Sequence, residues 1–167
     1  MNVTLSRTEK LSKMVGVDVA LLVAICVVPA LSHLLAVPLY MMNPMLLCLL
    51  AGMLLVRDRR NAYVLAVALP LVSMLTTGMP VPMKALCMVP ELLTVVALFH
   101  LLERRVPVFV ALVAAILAGK VVFYALKALL IAPVLLVETQ WWMQLATAVL
   151  YAGLFSLILT HRTFKNR

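Results

Sequence analysis

One apolar run decides the fold: residues 106–131 read VPVFVALVAAILAGKVVFYALKALLI. A helix of about 20 apolar residues crosses the hydrocarbon core of a bilayer, and this run exceeds that length with only two charged side chains, Lys120 and Lys127. The whole chain has the same character, since 66% of its residues are hydrophobic, 12% are charged and its mean hydropathy is +1.16. Soluble domains carry about twice that share of charge. The sequence therefore predicts an all-α integral membrane protein.

The chain divides into six apolar segments joined by short polar stretches. Six spans of about 20 residues use up 167 residues, so we predict one transmembrane domain over residues 1–167 and no soluble domain. The second segment is short, and both a tilted helix and a partly re-entrant one fit it. The first is too long for a signal-peptide core and lacks a cleavage pattern, so we expect it to be retained. The expected spans are 15–35, 41–56, 61–76, 83–102, 106–131 and 141–160.

Most basic residues lie in four short clusters that alternate with nearly uncharged stretches. Cytoplasmic loops of membrane proteins are enriched in Lys and Arg, so we predict that all four clusters and both termini are cytoplasmic, which requires an even number of spans. The same placement accounts for the net charge of +8 without nucleic acid as a partner. The clusters are Arg7, Lys10 and Lys13; Arg57, Arg59 and Arg60; Arg104 and Arg105; and Arg162, Lys165 and Arg167.

Three ionisable residues fall at membrane depth: Glu91, Lys120 and Lys127. Such a group is costly there unless it is paired or faces water. Helix geometry gives Glu91 and Lys120 similar depth and puts Tyr124 on one face with both lysines. Two interpretations are equally open. In one, these residues form the wall of an outward pocket; in the other, a Glu91–Lys120 ion pair holds two helices together. Both apply if the pair is the floor of the pocket.

The charges also indicate what such a pocket would bind. Lys120 and Lys127 favour a carboxylate or phosphate, because a buried ammonium group otherwise lacks compensation. A cationic substrate would instead need Glu91 free of Lys120. Further polar side chains at the outer ends of several spans predict a polar mouth. They are His33, Asn43, Thr76, Thr77, Lys84, Glu138 and Gln140.

Two ridges of small residues predict places where helices approach closely. One lies on a single face of the first span, and it suits either internal packing or an external partner. Near it, at the inner end of the span, we expect Asp18 to pair with Lys10 or Lys13. The ridges are Gly16, Ala20 and Ala24 in the first span and Ala111, Ala115 and Gly119 in the fifth.

Enzyme signatures are absent from the sequence: it contains no HExxH, GxSxG, Walker-type glycine loop or CxxC. The histidines His33, His100 and His161 are too scattered to suggest a metal site, and the three cysteines lie in apolar sequence. We therefore predict no catalytic residue, no metal site and no cofactor for this chain. A membrane enzyme acting on lipid head groups through Glu91 and the lysines is the weakest of the functions considered.

The order of short motifs between residues 38 and 102 resembles the substrate-binding S components of energy-coupling factor (ECF) transporters. Those proteins show similar motifs before and within the second helix, at the end of the third, in the turn that follows and in the fourth. The motifs here are Pro44-Met45, Leu50-Ala51-Gly52, Leu69-Pro70-Leu71-Val72-Ser73, Thr77-Gly78-Met79-Pro80 and Pro90-Glu91-Leu92. The turn Arg57-Asp58-Arg59-Arg60 replaces the family's glycine-rich turn, and the last two helices carry no matching motif.

This resemblance implies a six-helix subunit of the bacterial cytoplasmic (inner) membrane that captures a vitamin or related micronutrient from outside. Its partners would be a transmembrane scaffold subunit and two cytoplasmic ATPases, which bind the ATP. Gly16, Ala20 and Ala24 become the candidate docking residues. The alternative is a structural membrane protein of cell-envelope assembly, similar to the rod-shape family, without a small-molecule ligand. The candidate substrate-binding residues are Asn43, Thr76, Thr77, Lys84, Glu91, Lys120, Tyr124 and Lys127.

Overall fold

The computed structural model describes residues 7–36, 39–56, 58–131 and 141–165. Over these residues the chain forms six α-helices and one short 3-10 helix, and no strand, which confirms the all-α prediction. The predicted outer segment 132–140, with Glu138 and Gln140, lies outside the described residues. The helices are α1 (Arg7–Leu35), the 3-10 helix (Leu39–Met42), α2 (Pro44–Val56), α3 (Arg59–Thr77), α4 (Pro82–Leu102), α5 (Val108–Ile131) and α6 (Trp141–Lys165).

Four of the described helices are long and apolar enough to cross a membrane: Thr8–Leu35, Arg59–Thr77, Pro82–Leu102 and Val108–Leu130. Two further apolar stretches, in α2 and over Leu145–Leu159 of α6, are shorter. At about 1.5 Å per residue, α2 is about 20 Å long, whereas the hydrocarbon core of a bilayer is about 30 Å thick. These lengths are compatible with a membrane protein in which α2 does not reach both surfaces by itself.

Helix α2 begins at Pro44, three residues later than the predicted start at 41. Asn43 interrupts the helical path, because its φ of 49° is left-handed. Its side-chain oxygen accepts a hydrogen bond from the backbone N–H of Leu46 at 3.4 Å, so it caps the first turn. Proline is favoured at the first helical position because it has no N–H to leave unpaired. Most other helix ends lie closer to their predicted positions. The exceptions are the start of α1 and the end of α6, which extend into the polar segments that flank these spans.

Helices α4 and α5 pack closely along the ridge of Ala111, Ala115 and Gly119, all three of which are buried. A Cβ atom on Gly119 would lie 2.7 Å from the side chain of Val95 and 3.0 Å from the carbonyl oxygen of Glu91. Such short contacts would force one of the two helices to move away. Glycine at position 119 is therefore required for α4 and α5 to approach this closely. The ridge in the fifth helix is thus used inside the bundle.

Helix α1 lies at the edge of the bundle, since only 6% of its most apolar window is buried. Ile25 anchors it in the core, and Asp18 accepts a 2.8 Å hydrogen bond from Nδ2 of Asn61 on α3. The expected pairing of Asp18 with Lys10 or Lys13 is therefore wrong. Asn61 is buried and offers its amide to Asp18, whereas both lysines point to the exposed surface.

Candidate functional site

A cavity of about 580 Å³ lies among the end of α1, the start of α2, the α3–α4 turn and the facing parts of α4 and α5. Ligand pockets for small molecules span roughly 300–1,000 Å³. Its apolar wall includes Ile25, Met45, Met79, Met88 and Phe123, and its polar groups come from Ser32, His33, Asn43, Ser73, Lys84, Glu91 and Lys120. The mixture suits an organic molecule with an apolar body and a few polar groups.

An ion pair between α4 and α5 forms one wall of the cavity. Lys120 Nζ lies 2.6 Å from Glu91 Oε1, and Glu91 is only 2% exposed. The lysine ammonium also lies 5.5 Å from the centroid of the Phe123 ring, within reach of a cation–π interaction. Gly119, next to Lys120, permits the close helix approach that brings the two charges together. The pair thus joins two helices and lines the cavity, whereas Tyr124 and Lys127, which the pocket interpretation also included, are not among the lining residues.

Asn43 lines the cavity at the start of α2, together with Glu91 and Lys120. Its side-chain oxygen caps α2 by accepting the hydrogen bond from the backbone N–H of Leu46. The residue is 9% exposed. The left-handed backbone that ends the 3-10 helix therefore also positions a polar group in the cavity.

Lys84 supplies a positive charge to the cavity. It is exposed in the first turn of α4 and makes no ion pair within 4.0 Å among the described residues. Glu91 compensates Lys120, so the described lining carries one positive charge in excess. That excess favours a bound anion.

The turn between α3 and α4 is held by its own hydroxyl groups. Gly78 ends α3 with a φ of 69°, which favours glycine. Ser73 donates a 2.6 Å hydrogen bond from Oγ to the carbonyl oxygen of Met79, and Thr77 donates to the carbonyl of Ser73 at 2.8 Å. Thr76 donates to the carbonyl of Val72 at 2.7 Å. These bonds present Met79 and the residues after it to the cavity.

Four of the eight predicted substrate-binding residues line the cavity: Asn43, Lys84, Glu91 and Lys120. The other four lie elsewhere. Thr76 and Thr77 stabilise the turn, Tyr124 packs edge-on against Phe123 with ring centroids 5.5 Å apart, and Lys127 lies further along α5, outside the cavity lining. His33, predicted at the polar mouth, also lines the cavity. Ser32 and Ser73 line it too, although neither is a predicted binding residue and Ser73 appears in the sequence analysis only as the end of a motif.

The candidate docking ridge Gly16, Ala20 and Ala24 is exposed along its length. A Cβ atom on Gly16 would meet no other atom within 4 Å, in contrast to Gly119. Between the two ridges, only the one on α1 is therefore available to another helix. Exposure by itself does not identify that helix.

Comparisons with protein-family models, with curated proteins and with solved structures found no match for this chain. The order of motifs between residues 38 and 102 thus stays a resemblance. A functional assignment rests on the cavity, on the charges that line it and on the exposed face of α1.

Proposed function

We propose that this chain is the substrate-capturing subunit of an ECF-type importer in a bacterial cytoplasmic membrane. It crosses the membrane six times with both termini in the cytoplasm and holds a vitamin or related micronutrient in the 580 Å³ cavity. A membrane scaffold subunit and two cytoplasmic ATPases, which bind the ATP, complete the importer. The observation that carries the proposal is a ligand-sized cavity built around a buried ion pair. Charged residues inside a membrane bundle characteristically mark substrate pathways.

The orientation follows from the charges at the two ends of the bundle. Arg59 and Arg60 begin α3, and Arg104 and Arg105 follow the end of α4, whereas the cavity lies at the opposite ends of these two helices. Basic clusters face the cytoplasm in membrane proteins. The cavity then opens to the outside, where a nutrient arrives.

Charge complementarity favours an anionic substrate, a carboxylate or a phosphate. Because Glu91 is occupied by Lys120, it is not free to receive a cationic group. Lys84 takes the role that sequence reasoning gave to Lys127, since it lines the cavity and lacks an ion pair among the described residues. The methionines and Phe123 provide a polarisable apolar wall for the rest of the molecule.

Docking on the scaffold uses the exposed face of α1. Small residues let two helix backbones approach closely in a membrane, where interhelical packing drives association. The ridge of Gly16, Ala20 and Ala24 offers such a surface, and no described helix covers it. Packing there leaves the cavity accessible, because α1 lines the cavity only from Ile25 onward, in the half of the helix that follows the ridge.

The test is to extract the tagged protein gently from its native membranes and identify retained small molecules by mass spectrometry. We expect an organic anion in the wild-type protein and its loss in the Lys84→Met variant, with Lys127→Met as the matched control that keeps it. Absence of any small molecule from the wild-type protein, together with co-purifying envelope-assembly proteins, would favour the structural alternative.

A further inference from the structure

Helix α4 lines the substrate cavity with three side chains of different character, Lys84, Met88 and Glu91. Their spacing puts them on one face of the helix, since residues four and seven positions apart lie close to one line along its axis. At about 1.5 Å per residue, Lys84 and Glu91 are about 10 Å apart along that axis. Lys84 is exposed in the first turn, whereas Glu91 is only 2% exposed. The cavity therefore has a charged mouth at Lys84, an apolar middle and a buried polar floor at Glu91.

The floor of the cavity carries no net charge among the described residues. Glu91 Oε1 lies 2.6 Å from Lys120 Nζ, so the two charges compensate each other. An anionic group of a ligand would approach Glu91 as well as Lys120, and a cationic group would approach Lys120 as well as Glu91. Net attraction for an ionic group is thus expected at the mouth, where Lys84 makes no ion pair within 4.0 Å among the described residues.

The floor nevertheless presents a hydrogen-bond donor to the cavity. The side chain of Lys120 is 15% exposed, whereas that of Glu91 is 3% exposed, so the ammonium group is the more accessible member of the pair. An ammonium group has three N–H donors, and a single carboxylate oxygen at 2.6 Å accepts one of them. Phe123, whose ring centroid lies 5.5 Å from Nζ, lines the cavity beside it. A ligand atom that accepts a hydrogen bond fits this position, and a donor does not.

We propose that the substrate is an elongated monoanion with an uncharged hydrogen-bond acceptor, such as a carbonyl oxygen, at the end away from its anionic group. The anionic group pairs with Lys84 at the mouth, and the acceptor takes a hydrogen bond from Lys120 at the floor. About 10 Å separates the two groups, and the apolar part between them lies against Met88 and the other apolar lining residues. The proposal rests on the proposed function in taking this cavity as the substrate site, and it adds the length and the polarity of the substrate.

Isothermal titration calorimetry of the detergent-purified full chain tests the acceptor with two synthetic probes that differ at one end. The first is a biphenyl with a carboxylate and an acetyl group at its two para positions, which hold them about as far apart as Lys84 and Glu91 lie along α4. The second has an ethyl group in place of the acetyl group, so it keeps the charge, the length and the apolar body but lacks the acceptor. Wild-type protein should bind the acetyl probe about tenfold more tightly, the gain from one hydrogen bond to a charged donor. Equal affinity for the two probes, or no binding of the acetyl probe, would overturn the proposal.

Variants test whether Lys120 is the donor. The double variant Glu91→Met and Lys120→Met removes the donor without leaving a single buried charge, and it should bind both probes equally. Lys84→Met should weaken the binding of both probes by the same factor, about fivefold, and leave the preference intact. Lys127→Met is the matched control, since Lys127 does not line the cavity, and it should bind both probes as the wild type does. A preference that persists in the double variant would contradict the role of Lys120.

The substrate class and the importer can fail separately, because binding of the probes needs neither the scaffold nor ATP. A protein that shows the expected probe preference but co-purifies with no scaffold and supports no uptake would contradict the importer and confirm the ligand class of the cavity. A retained organic anion with an apolar far end, in a protein that does support uptake, would overturn the ligand class and leave the importer unaffected.

Discussion

The two ridges of small residues share a sequence spacing but have different surroundings. Ala111, Ala115 and Gly119 are buried against α4, and a Cβ on Gly119 would lie 2.7 Å from Val95. The ridge of α1 is exposed, and a Cβ on Gly16 would meet nothing within 4 Å. Small residues at this spacing therefore permit close helix packing without specifying the partner.

The contacts made by residues near each ridge determine whether the ridge faces the bundle or the outside. Lys120 follows the α5 ridge directly and pairs with Glu91, which turns that face toward α4. On α1 the residues that contact the bundle lie on the face of the helix away from the ridge. At about 100° per residue, Asp18 and Ile25 lie nearly opposite Ala20. Their contacts with the bundle turn the ridge outward. One ridge thus holds the bundle together, and the other is exposed.

The largest effect is expected for Gly119→Leu. The new side chain cannot fit against Val95 and the Glu91 carbonyl, so the variant loses both the packing of α5 on α4 and the ion pair. The loss should exceed the roughly 3–5 kcal/mol of a broken buried ion pair and prevent recovery of folded protein. Fluorescence-detected size-exclusion chromatography of the detergent extract measures it. Gly16→Leu is the control and should elute as the wild type does; equal recovery of both variants would refute the contrast between the ridges.

Lys120→Met should have the next largest effect, because it leaves the Glu91 carboxylate buried without its partner. We expect a destabilisation of about 3–5 kcal/mol, seen as a lower melting temperature in detergent. The double variant Glu91→Met and Lys120→Met removes both charges, so it should be more stable than Lys120→Met alone. A double variant as unstable as the sum of its two single variants would indicate that the pair is not coupled.

Ala20→Trp should leave stability within about 0.5 kcal/mol of the wild type, because the position is exposed. It should nevertheless abolish uptake and co-purification of the scaffold, since the indole prevents close helix approach. Val121→Trp, at an exposed position on α5 away from either ridge, should leave uptake unchanged. Transport assays in cells expressing the importer decide between the outcomes, and normal uptake by Ala20→Trp would remove the docking proposal.

The smallest effect is expected for Lys84→Met, which removes a cavity charge that makes no ion pair among the described residues and leaves both ridges intact. Affinity for the retained anion should fall about fivefold, which corresponds to about 1 kcal/mol for one exposed charge contact, while the melting temperature stays the same. Isothermal titration calorimetry measures the affinity. A larger loss for Lys127→Met than for Lys84→Met would show that the lysine predicted from the sequence binds the substrate instead.

The helical class and most helix positions could be predicted from the sequence, because long apolar runs have few alternatives in a bilayer. The similar depth of Glu91 and Lys120 allowed an ion pair as one of two interpretations, and the sequence did not decide between the pair and a pocket wall. The left-handed backbone of Asn43, which precedes the start of α2 at Pro44, could not be predicted from the sequence. Thr76 and Thr77 looked like site residues, but their hydroxyls stabilise the backbone of the turn. The sequence also could not predict which of the two ridges is buried, because this depends on contacts between helices that are far apart in the sequence.

Site-specific photo-cross-linking in native membranes tests the docking claim most directly. The cross-linker p-benzoylphenylalanine is placed at Val23, which is 57% exposed beside the α1 ridge, and at Val121, which is 69% exposed on α5 as the control. The proposal predicts an adduct between Val23 and a transmembrane scaffold subunit that assembles with two ATPases, and none from Val121. An adduct of Val23 with an envelope-assembly protein, or no protein adduct from Val23 at all, would contradict it.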